Sequence, residues 1–230
     1  MDMFSRRQVI QASVAGAAAS LVGAAPATAG QGGAARTLLD LAGVHASPAR
    51  LSEAVLIVVD AQEEYRKGRL PLHRVDPAIL RVAELLKRAR SARTPIIHIA
   101  QIGDPGDLFD RSGAGGQFFP EITPLAGETV IEKPLPNSFA RTGLQEKLIA
   151  IGRKDLIVVG FMTHMCVSST VRAAFDLDYR ITVAADATAT RALPATAGGA
   201  DLTAAQIQAS SLAALADYFA TVVPAVAIPL

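Results

Sequence analysis

The feature that most constrains this fold is an unbroken apolar run, Ala54-Val-Leu-Ile-Val-Val59, closed by Asp60. A strand with one wet face alternates apolar and polar residues, whereas a continuous run suits a strand covered on both faces. The signal recurs along the chain. Pro95 to Ala100, Thr129 to Lys133, Leu156 to Phe161, Ile181 to Ala185 and Val222 to Ile228 read as five further strands. Pro224 and Pro229 confine the last of these to a sheet edge. Segments with helical spacing lie between them. One opens at Asp76-Pro77 and carries Ile79, Val82, Ala83, Leu85 and Leu86; others span Gly143 to Ile151, Val167 to Leu177 and Leu202 to Phe219. This alternation predicts an α/β fold: a doubly wound, mostly parallel six-stranded sheet with helices on both faces.

The first residues follow a different logic. No charged residue occurs from Gln8 to Ala35, and the stretch Ala12 to Ala25 is rich in alanine and glycine. Ser5-Arg6-Arg7 precedes it and Pro26-Ala27-Thr28-Ala29-Gly30 follows it, which makes a signal peptide of twin-arginine type over residues 1–29. The apolar stretch is too weakly hydrophobic for a membrane span, which takes roughly 20 strongly apolar residues. The expectation is therefore an exported protein, periplasmic or secreted, with no stable membrane insertion once the signal is cleaved. Residues 30–52 read as a linker and domain edge, and 53–230 as one domain. Gln101 to Glu128, with Gly113, Gly115, Gly116 and the pair Phe118-Phe119, is long for a plain connection and reads as a lid or an oligomer contact.

Composition narrows the partners. Half the residues are apolar, tryptophan is absent and the formal net charge is +1 with no basic run. Nucleic acid is excluded as an expected partner, and a small-molecule substrate is favoured.

Chemistry converges at the strand ends, where open parallel sheets bind ligands. Asp60 follows the first strand, Lys133 ends the third, and Cys166, the only cysteine of the chain, lies just past the fourth. The second and fifth strands end in Ile99-Ala100 and Ala184-Ala185, with Asp186 just beyond. Each of the three has an ordinary reading, as a cap, a solvated charge and a core thiol. Together they make a thiol nucleophile with a carboxylate to take its proton and an ammonium to stabilise both anions. A helix N-terminus beside Cys166, with Lys133 near it, is expected to lower the thiol pKa below that of free cysteine.

These stretches resemble the isochorismatase-like cysteine hydrolase superfamily, which includes nicotinamidase, N-carbamoylsarcosine amidase and ureidoacrylate amidase. The resemblance rests on Leu56-Ile-Val-Val-Asp60-Ala-Gln62, on Lys133 with Asn137-Ser138-Phe139, on Gly160-Phe-Met-Thr-His-Met-Cys166-Val, and on Ala185-Asp186-Ala187-Thr188. It covers residues 38 to 230 and implies a Rossmann-like three-layer fold. It also implies an Asp60–Lys133–Cys166 triad with Asp60 as base, Lys133 as polarising cation and Cys166 forming a thioester. Backbone N–H groups of Met162 and Cys166 would make the oxyanion hole, next to a cis Phe161–Met162 peptide. Gln62, Tyr65, Phe139 and His164 are the expected substrate-pocket residues, and a homo-oligomer is implied.

Departures from the family pattern refine this. Nicotinamidases place an Asp-x-His-x-x-His metal site after the second strand, where this chain has Ala100-Gln101-Ile102-Gly103-Asp104. No metal and no other cofactor is expected. Cys166 points to hydrolysis of a small amide-like C–N bond. The alternatives are a vinyl ether hydrolase, which needs no thiol, and a non-catalytic oligomeric scaffold, which needs none of the three residues.

Overall fold

The computed structural model describes residues 34–196 and 198–230. The expected signal segment, residues 1–29, and the start of the linker lie outside the described residues. Two compact units divide at His45/Ala46. In the first, helix α1 (Leu38–Leu41) is held by a reciprocal cap, Thr37 accepting from the Asp40 N–H and Asp40 from the Thr37 N–H.

The second unit is a six-stranded sheet: β1 (Ala54–Val59), β2 (Ile96–Gln101), β3 (Thr129–Lys133), β4 (Asp155–Phe161), β5 (Arg180–Ala189) and β6 (Thr221–Val223). The order is β3-β2-β1-β4-β5-β6, and every neighbouring pair is parallel. The helices are α2 (Val75–Ser91), α3 (Leu144–Ile151), α4 (Ser168–Asp176) and α5 (Ala204–Tyr218).

Both faces are covered, as the unbroken apolar strands require. On one face Ile79, Val82, Leu85 and Leu86 of α2 pack with Leu56 and Val58 of β1. On the other, Leu144 and Leu148 of α3, Val171 and Ala174 of α4 and Leu215 of α5 pack with Val55, Ile57 and Val59. All six β1 side chains are buried. At about 1.5–3 kcal/mol for each large aliphatic group taken from water, β1 is the anchor of the sheet. Winding reverses between β1 and β4, which opens a crevice at their carboxyl ends.

Several boundaries differ from the sequence reading. Helix α2 starts at Val75 rather than being capped by Asp76; Arg74 holds the cap position in a left-handed conformation, φ 56°. Asp76 sits in the first turn, where its charge suits the helix dipole and reaches Arg66 at 2.8 Å. Strand β2 runs one residue further, to Gln101, and β5 continues through a bulge to Ala189. Strand β6 stops at Val223, because Pro224 opens a 3-10 turn, Ala225–Ala227. It does lie at the sheet edge.

The 101–128 stretch is fastened rather than loose. Gln62 and Phe118 form an antiparallel bridge, the Phe119 N–H donates to the Ala61 carbonyl, and Phe119 is fully buried. Its carboxyl end is tied by Glu128, which takes hydrogen bonds from Arg90 and the Leu125 N–H and pairs with buried His98.

Candidate active site

Three strand ends build the site. Asp60 leaves β1 in a left-handed conformation, φ 47°, which turns the chain sharply at the crevice. Lys133 ends β3, and Cys166 lies in a π-helical turn, Thr163–Val167, between β4 and α4. Gly160 permits this approach. A Cβ there would stand 2.0 Å from the Val59 carbonyl oxygen, and its φ of 109° is one that side chains disfavour. The Phe161–Met162 peptide is cis, as the resemblance implied.

The three side chains converge. Lys133 Nζ lies 2.8 Å from Asp60 Oδ2 and 3.4 Å from Cys166 Sγ. Asp60 and Lys133 are fully buried and Cys166 is 4% exposed. Such a pair is tolerated only because each charge compensates the other; removing one partner typically costs about 3–5 kcal/mol. Two neutral oxygens complete the surroundings of the ammonium, Gln101 Oε1 at 2.6 Å and the Leu135 carbonyl at 3.1 Å. Both Asp60 carboxyl oxygens are buried without a hydrogen bond of regular geometry, Oδ2 being held by its ion-pair contact with Lys133.

Electrostatics here correct the expected low thiol pKa. Burial, then the Asp60 charge, outweigh Lys133 and push the Cys166 thiol up to about 12. The π-helical turn that holds the thiol runs directly into α4, so proximity to a helix start does not offset the burial. Burial likewise raises the Asp60 carboxyl, against the pull of Lys133. The resting Cys166 is therefore a thiol, with Lys133 Nζ 2.8 Å from the Asp60 carboxyl beside it.

The expected pocket residues are placed unevenly. Tyr65 is buried, edge-on to Phe109 at 5.2 Å, and its phenol is held well above its usual pKa by burial and by Asp60 and Cys166. His164 bonds through Nδ1 to Thr190 Oγ1 at 2.5 Å, and burial, with Arg191, lowers its pKa. Phe139 is half-buried, stacked with Tyr179 at 6.2 Å and packed on the core that contains Cys166. Gln62 is fully buried, and its amide binds the Gln101 backbone and the Gly116 carbonyl. The apolar run of the second strand stops at Ala100, so the sequence places Gln101 in the following loop rather than at the strand end, where the structure has it. A polar residue in line with Asp60 and Lys133 was the available signal.

The donor set does not fit the nicotinamidase metal. Gln101-Ile102-Gly103-Asp104 offers no imidazole, and His98 on β2 is engaged with Glu128 at 2.9 Å. Among the described residues no group of three or more His, Cys, Asp or Glu side chains is placed to hold a metal ion.

Residues 54–225 match the model of the isochorismatase domain. The chain belongs to the isochorismatase family. A crystal structure of an isochorismatase from Pseudomonas putida KT2440 superposes with a TM-score of 0.81 and 47% identity, covering 85% of this chain and 100% of that one. The secreted isochorismatase effector Isc1 of Verticillium dahliae is 38% identical, over 79% of this chain and 93% of its own. The ureidoacrylate amidohydrolase RutB of Stutzerimonas stutzeri is 30% identical, over 60% of this chain and 71% of its own. The isochorismatase family is thus one of hydrolases that include amidohydrolases, and it shares this all-parallel sheet.

Proposed function

We propose that the chain is a cysteine-dependent hydrolase of a small amide-like substrate, acting through a thioester. The observation that carries this is the buried contact set of Lys133 Nζ, 2.8 Å from Asp60 Oδ2 and 3.4 Å from Cys166 Sγ. A structural role needs no buried ammonium between a carboxylate and a thiol.

In this reading Asp60 takes the thiol proton as Cys166 Sγ attacks the substrate carbonyl. Charge passes to the carbonyl oxygen, which the Met162 and Cys166 backbone N–H groups receive, at about 3 kcal/mol of barrier each. Asp60 returns the proton to the leaving nitrogen, the C–N bond breaks and the amine departs, leaving the acyl group on sulfur. A water then gives its proton to Asp60 and attacks the thioester; the acid leaves and the thiol is restored. Lys133 stays charged and offsets the anion, wherever it resides. The high resting thiol pKa fits this sequence, because proton transfer and attack are coupled. A vinyl ether hydrolase would leave Cys166 without a task.

The test is a screen of small amides, ureas and carbamates with Cys166→Ala as blank. Hydrolysis of at least one C–N substrate, lost in the blank, is the expected result; hydrolysis that survives Cys166→Ala overturns the reading. Residues 1–29 and the secreted relative support export, and family resemblance supports a homo-oligomer, which sedimentation of the mature chain tests.

A further inference from the structure

The structure assigns Gln101 as a positioning residue that poises Lys133 between Asp60 and Cys166, with Gln62 as its brace. This rests on the catalytic reading above and adds residues that the reading does not use.

Sheet order supplies the first argument. Strands β3, β2 and β1 lie side by side, so Lys133 at the end of β3 is two strand spacings, roughly 9–10 Å, from the end of β1. Its side chain must cross the end of β2 to reach Asp60. Gln101 is the β2 residue it crosses, being the register partner of Lys133.

Donor counting supplies the second. An ammonium has three N–H donors. Three acceptors take hydrogen bonds from Lys133 Nζ: Gln101 Oε1 at 2.6 Å, the Leu135 carbonyl at 3.1 Å and Cys166 Sγ at 3.4 Å, while Asp60 Oδ2 lies 2.8 Å away as an ion-pair contact without hydrogen-bond geometry. The nearest is the neutral amide oxygen, not the carboxylate. Two neutral oxygens hold two donors and the sulfur takes the third, so the carboxylate is held by charge alone. Without Gln101 the charged acceptor wins and the ammonium collapses onto Asp60, away from the sulfur. An amide also satisfies the buried cation without adding an anion that would oppose thiolate formation.

Gln101 is itself immobilised. Its Nε2 donates to the Ile102 carbonyl at 3.0 Å. The Gln62 amide clamps its backbone in both directions, Oε1 accepting from the Gln101 N–H at 2.9 Å and Nε2 donating to its carbonyl at 3.0 Å. The same Nε2 donates to the Gly116 carbonyl at 3.0 Å, so the seat of the 101–128 stretch and the seat of the lysine share one brace.

Iodoacetamide, a small primary amide, serves as the probe, with carbamidomethylation of Cys166 followed by mass spectrometry from pH 7 to 9. The titratable groups facing the thiol are Asp60, Lys133 and the Tyr65 phenol. Gln101→Glu keeps the shape and adds a charge. Gln101→Met keeps the length and removes the oxygen. We expect alkylation more than tenfold slower in Gln101→Glu and roughly three- to tenfold slower in Gln101→Met at every pH of this range, since the window lies below the thiol pKa and a move of the profile to higher pH reads as a lower rate throughout. A packing role alone would change thermal stability and leave these profiles in place. Lys133→Met is the reference and should move the profile furthest. If it moves while both Gln101 variants overlay the wild type, the positioning role is overturned and the catalytic reading stands. If Lys133→Met also leaves the profile unmoved, both fall. Should Gln101→Met not fold, Gln101→Glu carries the test alone.

Discussion

At the residue scale, Cys166 carries the sharpest contrast between local sequence and tertiary setting. An apolar strand running into a helical segment made Asp60, Lys133 and Cys166 legible, because strand ends follow from where apolar runs stop. The protonation state was not legible, since it depends on burial and on the nearness of Asp60, some hundred residues away in sequence. The structure makes a specific prediction from this. Asp60 raises the thiol pKa while Lys133 lowers it, against a background set by burial. Asp60→Asn removes the opposing charge and leaves the ammonium to the sulfur. Alkylation of Cys166 by iodoacetamide at pH 7.5 should become faster than in the wild type. Hydrolysis should fall about 10²–10⁴-fold, the usual loss when a general base is removed. Slower alkylation in Asp60→Asn would show that the carboxylate activates the resting thiol instead of restraining it. Gln101 marks the limit of residue-level reading, because a glutamine has no diagnostic spacing and its role appears only when three strand ends are set side by side.

At the element scale, the long 101–128 stretch was the least legible part of the chain. Its order comes from distant partners: Gln62 with Phe118, Ala61 with Phe119, and His98 and Arg90 with Glu128. None of these pairs has a periodicity. Glu128 fixes the stretch where it enters β3, and its protonation is testable. Burial alone would raise its pKa, but Arg90, the Leu125 N–H and His98 bring it to about 2. A carboxylate with a depressed folded-state pKa stabilises fully above its unfolded value, about 4.3, and loses that contribution as pH falls towards 2. Burial also lowers the pKa of His98, against Glu128, so acid acts on both groups in the same direction. Glu128→Gln should therefore melt a few degrees below the wild type at pH 7, and the gap should narrow steadily below about pH 4.5. Thermal denaturation across this range checks it; a gap independent of pH would mean that the Glu128 charge contributes nothing.

At the scale of the whole molecule, the doubly wound sheet was readable because each strand declares itself by an unbroken apolar run, and both faces are indeed covered. Among the described residues no helix is long and apolar enough to cross a membrane. What the chain does as a whole then turns on residues 1–29, whose charge pattern differs from everything after them. Arg6-Arg7 ahead of an alanine- and glycine-rich stretch, with Ala27-Thr28-Ala29 behind it, argues for export of an already folded protein. The buried Asp60–Lys133–Cys166 cluster, assembled from strands far apart in sequence, exists only once the sheet has closed, so the proposed transport after folding would deliver an assembled site. Replacing Arg6 and Arg7 together by lysine keeps the charge and removes the guanidinium pair, which is not an equivalent group. The double variant should accumulate in the cytoplasm at full length, while the wild type appears outside it beginning at Gly30. Fractionation and N-terminal sequencing decide between these outcomes. Wild-type protein retained in the cytoplasm with Met1 intact would refute export, and would leave the argument from Asp60, Lys133 and Cys166 untouched.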